Sequence, residues 1–206
     1  AKYDNNANLI WAKTMSGNGT GTGNLISIDE KGDIYAVGTF SGTIQFETQS
    51  MTAASVENTD NFLVKYAADG SMVWARSLKG SKLDDINAMD VANHQVVIGG
   101  VIRSEDLAVD NAPGILMKTL DTTGTWNSML IISFDTDGNY QWNYIAGSSN
   151  QPTDVKTIAI EKDGSIWNAG TTFGTYYFNP DAEDEAKQFP LSLIHISEPT
   201  RQEAIS

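Results

Sequence analysis

The sequence contains no cysteine and only two histidines, His94 and His195. It therefore has no thiolate nucleophile and no cysteine-based zinc site, and it offers little material for histidine-dependent catalysis. No apolar run approaches the roughly 20 residues that a transmembrane helix needs, so membrane insertion is not expected. The chain carries 13 Lys and Arg against 26 Asp and Glu, a net charge of -13. This acidic balance disfavours nucleic acid as a partner, because nucleic acid is itself a polyanion.

What is present indicates a folded protein. Of the 206 residues, 40% are hydrophobic and 19% are charged, which separates the chain from disordered segments. One segment differs from the rest of the chain. Residues 191–206 begin with LSLIHISEPTR and resemble the in-frame translation of a sequencing-library adapter. We predict that residues 191–206 are a non-native tail and leave them out of the fold argument, which leaves His94 as the remaining histidine.

An internal repeat organises the rest of the chain. Residues 28–38 (IDEKGDIYAVG) align with residues 160–170 (IEKDGSIWNAG), and a shorter, more divergent copy lies between them. A second unit, residues 62–74 (FLVKYAADGSMVW), aligns with residues 130–142 (LIISFDTDGNYQW). Both units are runs rich in β-branched and aromatic residues, interrupted by the Gly and Asp residues that tight hairpins require. Two hairpin types therefore alternate with a period of about 65 residues.

Two hairpins in each period give four antiparallel strands, and a four-stranded sheet repeated in tandem is the blade of a β-propeller. The sequence thus predicts an all-β fold, a partial β-propeller with about two and a half blades. The predicted boundaries are an outer strand of a preceding blade at 8–16, blades at 23–78 and 85–146, and an incomplete blade at 155–190.

These motifs resemble a bacterial β-propeller repeat family of exported and surface proteins, often described as seven-bladed. The resemblance covers about residues 9–190 and depends on the segments around Trp11, Gly38 and Trp74 and on the aromatic-Asn-Pro turn at Asn179. It implies a fragment of a secreted or cell-surface protein whose remaining blades are absent, and a non-catalytic binding or structural scaffold with a protein or glycan ligand. The alternative is a fragment of a propeller enzyme, either a quinoprotein-like dehydrogenase or a glycan-active enzyme.

Three tryptophans fall at one repeat position, Trp11, Trp74 and Trp142. A side chain that recurs in every blade more often packs blade against blade than it binds a ligand, so we predict a structural role for them. We predict the same role for the recurring glycines Gly38, Gly99 and Gly170. Trp126 breaks the pattern because it lies in a segment that looks like an insertion, and it is the candidate for a ligand contact.

No catalytic or cofactor-binding residue is predicted. Asp135 and Asp137 have the oxygen-rich look of a calcium loop, but the distal Glu of such a loop is missing, and a hairpin turn is favoured over a metal site. His94 stands where a hairpin tip is expected, and a surface turn residue is favoured over a general base.

Overall fold

The computed structural model describes residues 1–55, 58–121, 123–147 and 152–172, together with two short strands at 177–178 and 191–193. These residues form strands and turns, with no helix among them, so the all-β prediction is confirmed. It follows that no membrane-spanning helix occurs within the described ranges.

The strands are short, and most of them pair with their neighbours in the chain. In chain order they are β1 (Lys2–Tyr3), β2 (Leu9–Trp11), β3 (Ser16–Gly17), β4 (Thr20–Ile28), β5 (Ile34–Ser41), β6 (Thr43–Phe46), β7 (Gln49–Thr52), β8 (Asp60–Tyr66), β9 (Met72–Lys79), β10 (Asp85–Ala92), β11 (Gln95–Ile102), β12 (Leu107–Val109), β13 (Leu116–Met117), β14 (Ser128–Asp135), β15 (Tyr140–Gly147), β16 (Thr153–Ile160), β17 (Ile166–Thr172), β18 (Tyr177–Phe178) and β19 (Leu191–Leu193).

Three larger sheets follow one another along the chain. The first sheet contains β4, β5, β8 and β9 as an antiparallel meander, extended beyond β9 by β12 and β13. The second sheet repeats this meander with β10, β11, β14 and β15, extended by β18. The third sheet begins in the same way with the hairpin of β16 and β17. The four-stranded units run from 20 to 79 and from 85 to 147.

The hairpin turns explain the glycines between the strands. Gly32 and Gly138 have positive φ angles of 82° and 81°, and the amide of Gly138 donates to the carbonyl oxygen of Asp135 at 3.0 Å. Gly70 and Gly164 close the corresponding turns of other hairpins with positive φ as well. Since glycine adopts this conformation without a steric penalty, these positions end one strand and start the next.

Between the second and third strands of each unit, the chain reaches back to the preceding unit. There β6 pairs with β3, β12 pairs with β9, and β18 pairs with β15. The sequence did not predict this pairing, because the strands involved are only a few residues long and their partners are far away in the sequence.

The core lies between stacked sheets. The third strands β8 and β14 are buried along nearly their whole length, because apolar side chains on both of their faces are covered. One cluster of buried residues joins the first sheet to the second, and it includes Tyr35, Leu63, Val96, Ile98 and Leu130. Another cluster joins the second sheet to the third, and a further one covers the opposite face of the first sheet.

The repeat begins earlier than the sequence analysis predicts. The chain opens with the hairpin of β1 and β2, in which β2 lies within the expected outer strand at 8–16 and β1 precedes it. In this hairpin Lys2 donates from Nζ to the carbonyl oxygen of Ala68 at 2.9 Å, and Lys65 donates in the same way to Thr136 at 3.1 Å. Each lysine ties one unit to a turn of the next.

The strand β19 pairs with β17 in parallel, whereas the other pairings of the described strands are antiparallel. It contains the first three residues of the segment predicted to be a non-native tail, and the rest of that segment, with His195, lies outside the described residues.

Candidate functional site: a polar cleft between two sheets

A polar cleft of about 440 Å³ lies between the second and third sheets, where their first strands begin. The charged and amide side chains that line it are Asp85, Asn87, Arg103, Asn127, Asp154 and Lys156. They come from the beginnings of β10 and β16, from the residue after β11 and from the residue before β14. The sheets bring these residues to one end of the stack, although they are far apart in the sequence.

Oppositely charged side chains pair along each side of this cleft. Arg103 Nη1 lies 2.9 Å from Asp85 Oδ2, and Lys156 pairs with Asp154. Asn87 Nδ2 donates to Asp154 Oδ1 at 3.1 Å, which connects the second sheet with the third. The cleft therefore presents hydrogen-bond donors and acceptors together, and its two cations balance its two carboxylates within a strongly acidic chain.

Reciprocal hydrogen bonds between Asn127 and Thr153 hold the wall of the cleft in place. The backbone N–H of Thr153 donates to the carbonyl oxygen of Asn127 at 3.0 Å, and the side-chain amide of Asn127 donates to the carbonyl oxygen of Thr153. The hydroxyl of Thr153 accepts a further bond from the Met129 amide at 2.8 Å. These hydrogen bonds fix the end of the loop that precedes β14 against the first strand of the third sheet.

That loop carries Trp126, the predicted ligand contact, whose side chain is 37% exposed. The backbone N–H of Trp126 donates to Asp121 Oδ2 at 2.7 Å, and Asp121 Oδ1 accepts from the amide and the hydroxyl of Thr123. Burial alone would raise the pKa of the Asp121 carboxyl, but these hydrogen bonds outweigh it and hold the pKa below its usual value. The ionised Asp121 thus organises a loop whose next residue, Asn127, lines the cleft.

The recurring tryptophans lie elsewhere, at contacts between units. The Trp74 ring lies against Gly138 of the next unit, and its Nε1 donates to the carbonyl oxygen of Thr136 at 3.1 Å. The Trp11 ring lies against Gly70 in the same way. Trp142 packs against the apolar cluster between the second and third sheets.

The recurring glycines lie at a β-bulge in the first hairpin of each unit. A Cβ atom at Gly38 would collide with the carbonyl oxygen of Thr22, and one at Gly170 would collide with that of Asp154. In the second sheet the equivalent collision occurs at Gly100 with Asp85, so the register assigns Gly100 rather than the predicted Gly99 to this position. The cause is the shorter turn of this hairpin, which shifts the alignment by one residue.

The two aspartates of the supposed calcium loop lie in a hairpin turn. Asp135 Oδ1 accepts from the backbone N–H groups of Asp137 and Asn139, and Asp135 Oδ2 accepts from the side chains of Asn139 and Gln141. Within the described ranges, no group of three or more His, Cys, Asp or Glu side chains is placed to hold a metal ion. His94 is exposed at the tip of the hairpin formed by β10 and β11.

The sequence analysis selected Trp126, the neighbour of the cleft residue Asn127, but missed the residues that line the cleft. Asp85 and Asp154 do occupy equivalent positions at the start of the first strand in successive units, paired with Val101 and Thr171 respectively. This equivalence is a signal that could have found them, although two acidic residues alone do not distinguish a site from a solvated strand end.

No family model matches the chain, and no curated protein matches it either.

Proposed function

We propose that the chain is part of a secreted or cell-surface β-propeller that serves as a non-catalytic binding scaffold, and that the polar cleft between its second and third sheets binds a glycan. The observation that carries the proposal is the cleft itself, where balanced hydrogen-bonding groups lie next to a loop with an exposed tryptophan.

The propeller architecture is supported by the order of the sheets. Successive four-stranded units have the same meander, and the first strands β4, β10 and β16 are neighbours in space. Such an arrangement is typical of blades whose first strands surround a common axis. The resemblance of the repeat to exported bacterial propellers supports the location outside the cell.

The glycan is supported by the chemistry of the cleft. Sugar hydroxyl groups both donate and accept hydrogen bonds, and the cleft presents amides, carboxylates and cations together. Its volume falls within the range of small-ligand sites, about 300–1,000 Å³. An exposed aromatic ring such as that of Trp126 provides an apolar face against which a sugar ring can stack.

A non-catalytic role is supported by the state of the carboxylates. Asp85 is paired with Arg103, and Asp154 is engaged by both Lys156 and Asn87.

The test is a glycan array probed with the wild-type chain and with Trp126→Ala and Asn87→Ala. We expect selective binding that each variant weakens roughly two- to tenfold, since a stacked ring or a hydrogen bond contributes about 0.5–1.5 kcal/mol. The matched control is Tyr3→Ala, which removes an exposed aromatic ring away from the cleft and should bind as the wild type does. Absence of binding, or equal binding by all variants, would contradict the proposal.

A further inference from the structure

The first strand of each of the three larger sheets contains one polar residue at a β-bulge. The register of the first hairpin shifts at this residue in all three sheets. The residues are Asn24 on β4, Asn87 on β10 and Lys156 on β16, and all of them are exposed. A β-bulge redirects a side chain, and bulges are frequent next to active sites. The cleft contains Asn87 and Lys156, so Asn24 is the member of this set that lies outside it.

The bulge keeps its side chain exposed even where sheets pack on both sides. The second sheet packs against the first through one apolar cluster and against the third through another. Ile86 and Ala88 are buried there, whereas Asn87 between them is exposed. The exposure of the equivalent Asn24 therefore does not require that a neighbouring sheet be absent.

Carboxylates lie between these bulged residues. Asp154 stands two residues before Lys156 and accepts from Asn87 Nδ2 at 3.1 Å, across the junction of the second and third sheets. Asp85 stands two residues before Asn87, and β4 and β10 are neighbours as β10 and β16 are. The pair equivalent to Asn87 and Asp154 at the junction of the first and second sheets is therefore Asn24 and Asp85. Hydrogen-bond donors and carboxylates thus alternate across the first strands of three sheets.

The spacing of the bulged residues suits an extended ligand. Sheets that pack face to face lie about 10 Å apart, so the bulged side chains recur at about this interval. One sugar ring is shorter than this interval, whereas a chain of linked sugars extends over it and carries hydroxyl groups along its whole length. Such a chain can form hydrogen bonds at one junction and then at the next.

We propose that the ligand of the cleft is a linear oligosaccharide chain, and that Asn24 and Asp85 form a second subsite for this chain at the junction of the first and second sheets. The inference rests on the proposed function, because the cleft is the first subsite. Asp85 takes part in both subsites, since it lines the cleft and begins the strand next to β4. A chain bound at both subsites therefore runs continuously from one to the other.

The test is isothermal titration calorimetry with a size series of oligosaccharides built from the repeating unit of the glycan that binds best on the array. We expect the affinity to rise with chain length until both junctions are spanned. Asn24→Ala should weaken binding of the longest chains roughly two- to tenfold and leave the shortest chain that binds unchanged, because only a long chain reaches Asn24. Asn87→Ala should weaken binding of short and long chains alike. The matched control Asn5→Ala removes an exposed amide from the turn between β1 and β2 and should change neither.

The results for Asn24 and Asn87 distinguish the second subsite from the cleft. An affinity that does not rise with chain length, or an Asn24→Ala variant that binds the longest chains as the wild type does, would overturn the second subsite while the cleft remains the binding site. Equal weakening of short and long chains by Asn24→Ala would overturn it too. An Asn87→Ala variant that binds every chain as the wild type does would contradict the cleft itself, and the second subsite with it.

Discussion

At the scale of single residues, contacts between units depend on glycines with positive φ. Gly138 has a φ of 81°, and a Cβ atom there would lie only 2.7 Å from the Trp74 ring. Gly114 has a similar φ of 86°, but a Cβ atom there would meet no atom within 4 Å. The two positions share the same backbone conformation and differ in what surrounds them.

We therefore expect Gly138→Ala to lower the free energy of unfolding by more than Gly114→Ala does. In both variants, alanine in the left-handed region lowers the free energy of unfolding by about 1–2 kcal/mol. Gly138→Ala lowers it further, because the new Cβ atom displaces the Trp74 ring. Chemical denaturation of the two variants and the wild type measures this. Equal losses at the two positions would show that the Trp74 contact contributes nothing.

The buried carboxyl of Asp84 gives the chain an unusual dependence on pH. Asp84 Oδ1 accepts from the backbone N–H groups of Arg103 and Ser104, and Oδ2 accepts from the Ser104 hydroxyl at 2.6 Å. Burial nevertheless raises its pKa above the ordinary value of 3.8, because these bonds do not fully replace the lost water. The folded chain thus binds a proton at Asp84 more tightly than the unfolded chain does.

The raised pKa of Asp84 sets the direction in which the free energy of unfolding changes with pH. The stabilisation that comes from the proton is complete below the unfolded pKa of 3.8 and is lost as the pH rises through the raised folded pKa. Asp84→Asn does not titrate, so the free energy of unfolding of the wild type, minus that of the variant, should fall as the pH rises from about 3 to 7. Denaturant unfolding of both proteins across this range measures the difference. A difference that grows as the pH rises would contradict the raised pKa of Asp84.

At the scale of elements, the hairpin of β10 and β11 departs from the others in its turn. Its two-residue turn consists of Asn93 and His94, with φ angles of 50° and 61°. Positive φ at both central residues is the type I′ geometry that favours Asn followed by Gly. His94 therefore adopts a strained conformation at an exposed tip.

Replacing this residue by glycine should relieve the strain. We expect His94→Gly to raise the free energy of unfolding by roughly 1 kcal/mol, whereas His94→Ala, which keeps a Cβ atom, should bring no such gain. Thermal unfolding of both variants tests this. A His94→Gly protein that is no more stable than the His94→Ala protein would contradict the strain at this position.

The hairpins could be predicted from the sequence, because the strands and the glycine turn of each lie close together in the chain. Trp74 and Gly138 could also be found, because both lie in a unit that recurs along the chain. The strand pairs that join successive units could not be predicted, since β12 contributes only three residues and its partner belongs to the preceding unit. The cleft was missed because Asn87 and Asp154 meet only when two sheets are stacked.

At the scale of the whole molecule, the stacking of similar sheets produces the cleft to which we assign a role. Where a sheet is followed by another, apolar side chains such as Tyr35 are completely buried between them. The polar strand ends are left at the rim, and there Asn87 and Asp154 form the cleft. Where no described sheet covers the stack, Ile26 and Ile28 stay exposed.

The most direct test of the central claim, that the cleft is the binding site, is an NMR titration of the isotopically labelled chain with the strongest glycan from the array. The account predicts that the largest changes in chemical shift occur at the amides of Asn87, Arg103 and Thr153 and at the indole N–H of Trp126, with little change at Ile26 and Ile28 on β4. Changes that concentrate at Ile26 and Ile28, or that spread evenly over the three sheets, would contradict it.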